Sequence, residues 1–210
     1  MVFHCALLDK INSYSFLKRS VIKSDTVTWD SFQKGDREAF EAIVRSYSRL
    51  LFNYGTRFTQ DRELIKECIQ DLFVSIWERR NHLNRVEHIK HYLFKAFRIN
   101  LMKQINLGSK FVSADNLSLF EITFNKEAQM IITEHQLDVK QKLEAALKKL
   151  SARQYEAVYL RYYEGLSFEE ISGIMNISAK GTYKLMGRAI AVMRQNLKLK
   201  DFRFILLGLT

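Results

Sequence analysis

Over most of the chain, apolar and polar residues alternate with a period near 3.6, the mark of helices with one buried face. From Asp36 to Tyr54, the residues Phe40, Ile43, Val44, Tyr47, Leu50, Leu51 and Tyr54 make one such stripe. Thr59 and Asp61 are cap candidates for a second helix reaching about Arg79, with Ile65, Cys68, Ile69, Leu72, Phe73, Ile76 and Trp77 inward. Its other face mixes Glu63, Glu67, Gln70, Asp71 and Glu78 with Arg62 and Lys66, as a solvated face does. A polar turn from Arg79 to Arg85 leads to a third helix, from about Glu87 to Ile105. There Ile89, Tyr92, Leu93, Ala96, Phe97 and Asn100 share one face. His88, His91, Lys95, Arg98 and Met102 share the other, with Phe94 at its edge. Farther on, Val139, Leu143, Ala146, Leu147 and Leu150 form another stripe. Strand-turn signals are rare and proline is absent, so the pattern predicts an all-α protein.

The sharpest local signals lie in the last third. Ser151-Ala152-Arg153-Gln154 is a capping box, in which the serine accepts from the backbone three residues on while the longer side chain reaches back. A helix from Ala152 carries Tyr155, Val158 and Tyr159 into a turn at Glu164-Gly165. Ser167-Phe168-Glu169-Glu170 is a second box, with Leu166 and Ile171 placed as a hydrophobic staple. The short helix after it ends at Asn176, a residue that tolerates positive φ and suits a tight turn. Ser178 is then a cap for a longer helix. On that helix Thr182, Tyr183, Met186, Ala189, Ile190, Met193 and Leu197 fall on one side, and Lys180, Lys184, Arg188, Arg194 and Lys198 roughly opposite. No carboxylate lies between Glu170 and Asp201. A short helix, a tight turn and a longer helix with a bare cationic face make a helix-turn-helix pattern, whose second helix enters the major groove of DNA.

Charge extends this picture. The chain of 210 residues carries a formal net charge of +10, which calls for a polyanionic partner: nucleic acid first, an anionic membrane surface second. The third helix repeats the asymmetry, since no acid stands between Glu87 and Asp115. Cations interleaved with aromatics there suit phosphate contact and stacking on unpaired bases, and equally an aromatic core helix with a solvated basic side. Two small helical domains follow from the pattern: 29–108 and 137–200, with an N-terminal extension (1–28), a polar linker (109–136) and an apolar tail (201–210). The two cysteines, Cys5 and Cys68, make neither a disulfide framework nor a zinc site, which fits a reducing cytoplasm. His88 and His91 lack a carboxylate or cysteine nearby to complete a metal set, and no cofactor motif is present. No P-loop, zinc-hydrolase or nucleophile-elbow motif occurs, so neither an enzyme nor a small-molecule substrate is expected.

The order and spacing of several segments resemble the extracytoplasmic-function (ECF) sigma factors of bacterial RNA polymerase. The carriers are FEAIVRSY from Phe40 to Tyr47, CIQDLFVSIWERR from Cys68 to Arg80 and YLFKAFRIN from Tyr92 to Asn100. To these are added the run from Leu150 to Ser178 and Gly187-Arg188-Ala189. The resemblance implies a factor that binds core RNA polymerase, melts a downstream promoter element with its first domain and reads an upstream element with its helix-turn-helix. It implies polymerase contacts at Gln70, Asp71, Phe73 and Trp77, and a flipped base near Asn81 with Tyr92, Lys95, Arg98 and Asn100 along the backbone. Upstream promoter DNA would meet Lys180, Tyr183, Lys184 and Arg188. A membrane-anchored anti-sigma factor is a further partner implied by the family. The chain departs from the family in the run Gln104 to Gly108, which lacks the usual arginines, and in carrying Gly181 and Gly187 within the recognition helix. The alternative reading is a stand-alone helix-turn-helix transcriptional regulator.

Overall fold

A computed structural model describes residues 25–108 and 142–196, and among these residues every regular element is helical. They fall in two compact units, one holding 25–108 and the other most of 142–196.

The first unit is built from α1 (Asp25–Gln33), α2 (Arg37–Gly55), α3 (Arg62–Glu78), a 3-10 turn (Arg80–His82) and α4 (Ile89–Gly108). Gly35, at φ +88°, turns the chain out of α1. Asp36 caps α2, its carboxylate accepting from the Glu38 and Ala39 amides at 2.9 and 3.3 Å. Asp61 does the same for α3 at 3.1 and 3.0 Å, and Thr59 accepts in turn from the Asp61 amide. Of the two expected cap candidates, Asp61 is the N-cap and satisfies donors that the first helical turn leaves orphaned, and Thr59 holds the Asp61 amide; Asp36, which the periodicity did not single out as a cap, plays the same part for α2.

The core has two aromatic clusters. Phe32, Phe40, Phe73 and Trp77 join α1, α2 and α3, with Trp29 against Phe32 at 5.0 Å. Tyr54, Phe58, Phe94 and Phe97 join α2 to α4. Gly55 lets these helices approach. A Cβ at this position would lie 2.8 Å from Ile65 Cγ2 and 3.0 Å from Phe97 Cζ. Cys68 is buried in the same unit, and burial holds its thiol above the ordinary value, with Asp71 and Glu67 adding to the shift.

Two features differ from the sequence pattern. The chain before Trp29 already belongs to the fold, because α1 begins at Asp25 and buries Thr28. The inward face of α4 is also rotated. Ile89, Leu93, Phe94, Phe97 and Leu101 are the buried residues, whereas Tyr92, Ala96 and Asn100 are only half-buried. At 100° per residue this shifts the buried centre by about 70° from the expected one. The cause is the Tyr54–Phe58 cluster, which draws in Phe94, its ring 5.1 Å from Tyr54.

The second unit begins with a helical stretch at 142–147. Then come α5 (Ala152–Val158), a π-helical turn (Tyr159–Tyr163), α6 (Phe168–Met175) and α7 (Ala179–Asn196). Both capping boxes form in full. Ser151 and Gln154 exchange bonds of 2.9 and 3.3 Å, and Ser167 and Glu170 exchange bonds of 2.7 and 3.1 Å. Tyr155, Val158 and Tyr159 are buried as expected, and the Tyr159 hydroxyl donates to the buried Glu164 carboxylate at 3.0 Å. Gly165 takes φ +71° and Asn176 takes φ +53°, the second being the turn between α6 and α7. Leu166, Ile171, Ile174 and Met175 are buried on the α6 side, and Thr182, Met186, Ala189 and Met193 form the buried line of α7.

Candidate nucleic-acid and protein interfaces

The helix-turn-helix presents its cations outward. Ser178 opens α7, its hydroxyl accepting from the Gly181 amide at 3.0 Å. A Cβ at Gly181 would come 3.1 Å from that same hydroxyl, so the glycine fits the cap. Lys180, Lys184 and Arg188 are all exposed along α7, and no acid interrupts them. Gly187 lies between Lys184 and Arg188, and a side chain there would enter open space. Packing does not require this glycine, and the backbone there is open to close approach. Tyr183 departs from the sequence pattern. Its angle on the helix groups it with the apolar face, yet it is 52% exposed, because the inward line is complete without it. Its ring stacks on Phe168 at 4.4 Å, and the Arg161 guanidinium lies over Phe168 at 4.9 Å. All four residues expected to touch upstream DNA therefore face solvent on the same helix.

In the first unit, the loop before α4 is held by α1. Trp29 donates its indole N–H to the Asn84 carbonyl at 3.2 Å, and the Gln33 amide donates to the Leu83 carbonyl. Asp30 and Arg85 form an ion pair at 3.5 Å. Asp25 then accepts from the Ile89 amide at 3.2 Å, placing a remote carboxylate at the N-terminus of α4, where the helix dipole favours it. Arg80 closes the turn by donating to the Trp77 carbonyl at 2.7 Å with its guanidinium over the Trp77 ring. Asn81 is left exposed on this anchored turn. Tyr92 is half-buried, edge-on to Trp29 at 5.2 Å; burial raises its phenol pKa and Arg79 partly offsets the rise. Lys95 is exposed and Arg98 partly so. Tyr92, Lys95 and Arg98 are successive neighbours on one arc of α4, but Asn100 lies about 160° around the helix from Arg98. Asn100 is therefore not brought together with the cations. Ile99 (59% exposed) and Lys103 share the outer arc and carry no signal that singles them out in the sequence.

A third surface lies between α2 and α3. Phe40, Val44, Phe52, Phe73, Val74 and Trp77 line a groove of about 730 Å3, with the polar residues Gln70, Lys66 and Glu78 also in its lining. Phe73 is buried but offers part of its ring to the groove, and Trp77 is half-buried. Asp71 is exposed but does not line the groove. Val74, 48% exposed, escapes sequence reasoning because a lone valine on a mixed face gives no periodic signal.

Residues 140–193 match the family model described as sigma-70, region 4, a span that contains the whole helix-turn-helix apart from the last residues of α7. The chain is also 27% identical over 163 residues to the ECF RNA polymerase sigma factor SigM of Bacillus subtilis, covering 75% of this chain and 92% of that one. The chain is thus similar to an ECF sigma factor along most of its length and to sigma-70 region 4 across its helix-turn-helix. Solved structures are similar to it in fold. CnrH, in a structure with the cytosolic domain of CnrY, matches 81% of this chain and 95% of its own at a TM-score of 0.55 and 18% identity. The sigma factor RpoE of Bartonella quintana, in a structure with the anti-sigma factor NepR, matches 76% and 97% at 0.52 and 18%.

Proposed function

We propose that this chain is an ECF sigma factor that binds core RNA polymerase and directs it to promoters, using the first unit (25–108) to engage polymerase and open the downstream element and the second unit, with its helix-turn-helix, to hold the upstream element. The observation that carries the reading is the uninterrupted cationic row Lys180, Lys184 and Arg188 on the second helix of a helix-turn-helix. Such a helix enters the major groove, where Lys and Arg meet guanine edges and backbone phosphates. On the first unit, Tyr92, Lys95 and Arg98 offer stacking and phosphate contact beside Asn81, whose turn is fixed in advance by α1. Strand opening then needs no bond chemistry. Binding energy to unpaired bases and phosphates offsets lost base stacking.

The α2–α3 groove fits a polymerase helix, with Phe73, Val74 and Trp77 as the apolar contact and Gln70 as the polar one. Asp71 would contact polymerase from beside it. An anti-sigma factor, membrane-anchored in the family pattern, would regulate the protein by covering these surfaces; the structure of RpoE with the anti-sigma factor NepR supports a partner of that class.

Promoter pull-down with and without core polymerase tests the assignment. Specific retention of promoter fragments should require both proteins. Equally tight specific binding by the isolated chain would overturn it in favour of a stand-alone regulator.

A further inference from the structure

Tyr183 is an aromatic residue on a cationic surface, and its ring is held in place. Its position on α7 is the second turn, near the end of a recognition helix that reaches base edges. Lys180 lies one turn before it and Lys184 directly after it. The core of the unit does not use it, since Thr182, Met186, Ala189 and Met193 already fill the inward line. Phe168, at the start of α6, stacks on the Tyr183 ring with centroids 4.4 Å apart and planes 30° apart. Arg161, from the π-helical turn, lies over the same Phe168 ring and donates to the Leu166 carbonyl at 2.9 Å. Three elements thus converge to fix one exposed ring. A ring fixed before binding loses little rotamer freedom on contact, and this is how preorganised aromatic residues gain affinity.

We propose that Tyr183 reads the upstream element with its ring, against the 5-methyl group of a thymine in the major groove, and that Phe168 and Arg161 are positioning residues that hold it there. The inference rests on the upstream-binding role proposed for α7 and names the chemistry that one side chain contributes to it. Thymine is the base that presents an apolar group in the major groove. The charged ends of the lysines and Arg188 around Tyr183 are drawn to phosphates and base acceptors, whereas a phenol ring fixed in place offers an apolar face to that group. The contact discriminates thymine from cytosine at that position, beside the guanine and phosphate contacts of its neighbours.

The test uses holoenzyme and an upstream element selected from a promoter library, with each thymine replaced in turn by deoxyuridine, which removes only the methyl group. Wild-type holoenzyme should lose about threefold to fourfold in affinity at one or two positions, the scale of one buried methyl group. Tyr183→Ala should bind more weakly and be indifferent to uracil at those positions. Tyr183→Phe should keep the sensitivity, because the ring and not the hydroxyl makes the contact. Phe168→Leu should reduce the sensitivity while leaving the salt dependence of binding unchanged, and Phe168→Tyr should restore it. Loss of fold would shift salt dependence as well, so the two effects are separable. Uracil sensitivity that is absent in wild type, or unchanged in Tyr183→Ala, overturns the inference while the upstream-binding role stands. A holoenzyme with no affinity for any upstream element overturns both.

Discussion

The capping box at Ser167 and Glu170 should control whether the recognition helix is presented at all. It begins α6, which has only eight residues and cannot persist without its ends satisfied. In Ser167→Ala the Glu170 amide is deprived of its acceptor at 3.1 Å, an N-cap change that costs about 1 kcal/mol. In Glu170→Ala the Ser167 amide is deprived of a carboxylate at 2.7 Å, and the helix loses a negative charge in its first turn, worth about 0.3–1 kcal/mol. Because the two bonds are reciprocal, the double variant should cost less than the sum of the single ones. The measurement is amide hydrogen exchange across α6, which reads local opening without assuming that the whole chain unfolds as one. A destabilisation of about 1 kcal/mol should speed exchange about fivefold in each single variant. Promoter binding should weaken in step, since α6 and the turn at Asn176 set the start of α7. Unchanged exchange in both variants, or strictly additive effects, would refute the idea that the box acts as a unit.

Other perturbations separate the surfaces. Lys184→Ala with Arg188→Ala should lower promoter occupancy by about tenfold or more and reduce the salt slope by about one for each phosphate left without its cation, while polymerase binding is unaffected; filter binding across a salt series reads both. Gln70→Ala with Val74→Asp should weaken association with core polymerase, measured by co-purification, and leave the helical content unchanged; full-strength binding would rule the groove out as the polymerase site. Gly55→Ala should destabilise the first unit by about 1–3 kcal/mol through overpacking against Ile65 and Phe97, seen as a lower denaturation midpoint.

The sequence made some of this legible because the relevant signals are local. Capping boxes, the Asn176 turn and the cap at Asp61 depend on residues within a few positions of one another, and they appear where the spacing places them. The face of α4 is misplaced by periodicity alone because its rotation depends on Phe94 joining Tyr54 and Phe58, partners about 40 residues away in the chain. The same holds for the clasp of Asp25 on Ile89 and for the hold of Trp29 and Gln33 on the loop after Asn81. No periodicity within one segment reveals a carboxylate capping a helix from 64 residues distant. Tyr183 reads as apolar by its angle on the helix, and neither the complete inward line of α7 nor its stack on Phe168, which together leave it facing solvent, is visible in the helical period.

The most direct test is permanganate reactivity of promoter thymines after wild-type holoenzyme is added, compared with a Lys95→Ala, Arg98→Ala variant. The expected result is reactive, unpaired thymines in the downstream element with wild type, and an upstream footprint that survives in the variant while downstream reactivity falls. Downstream reactivity that is the same in both would contradict the role given to α4.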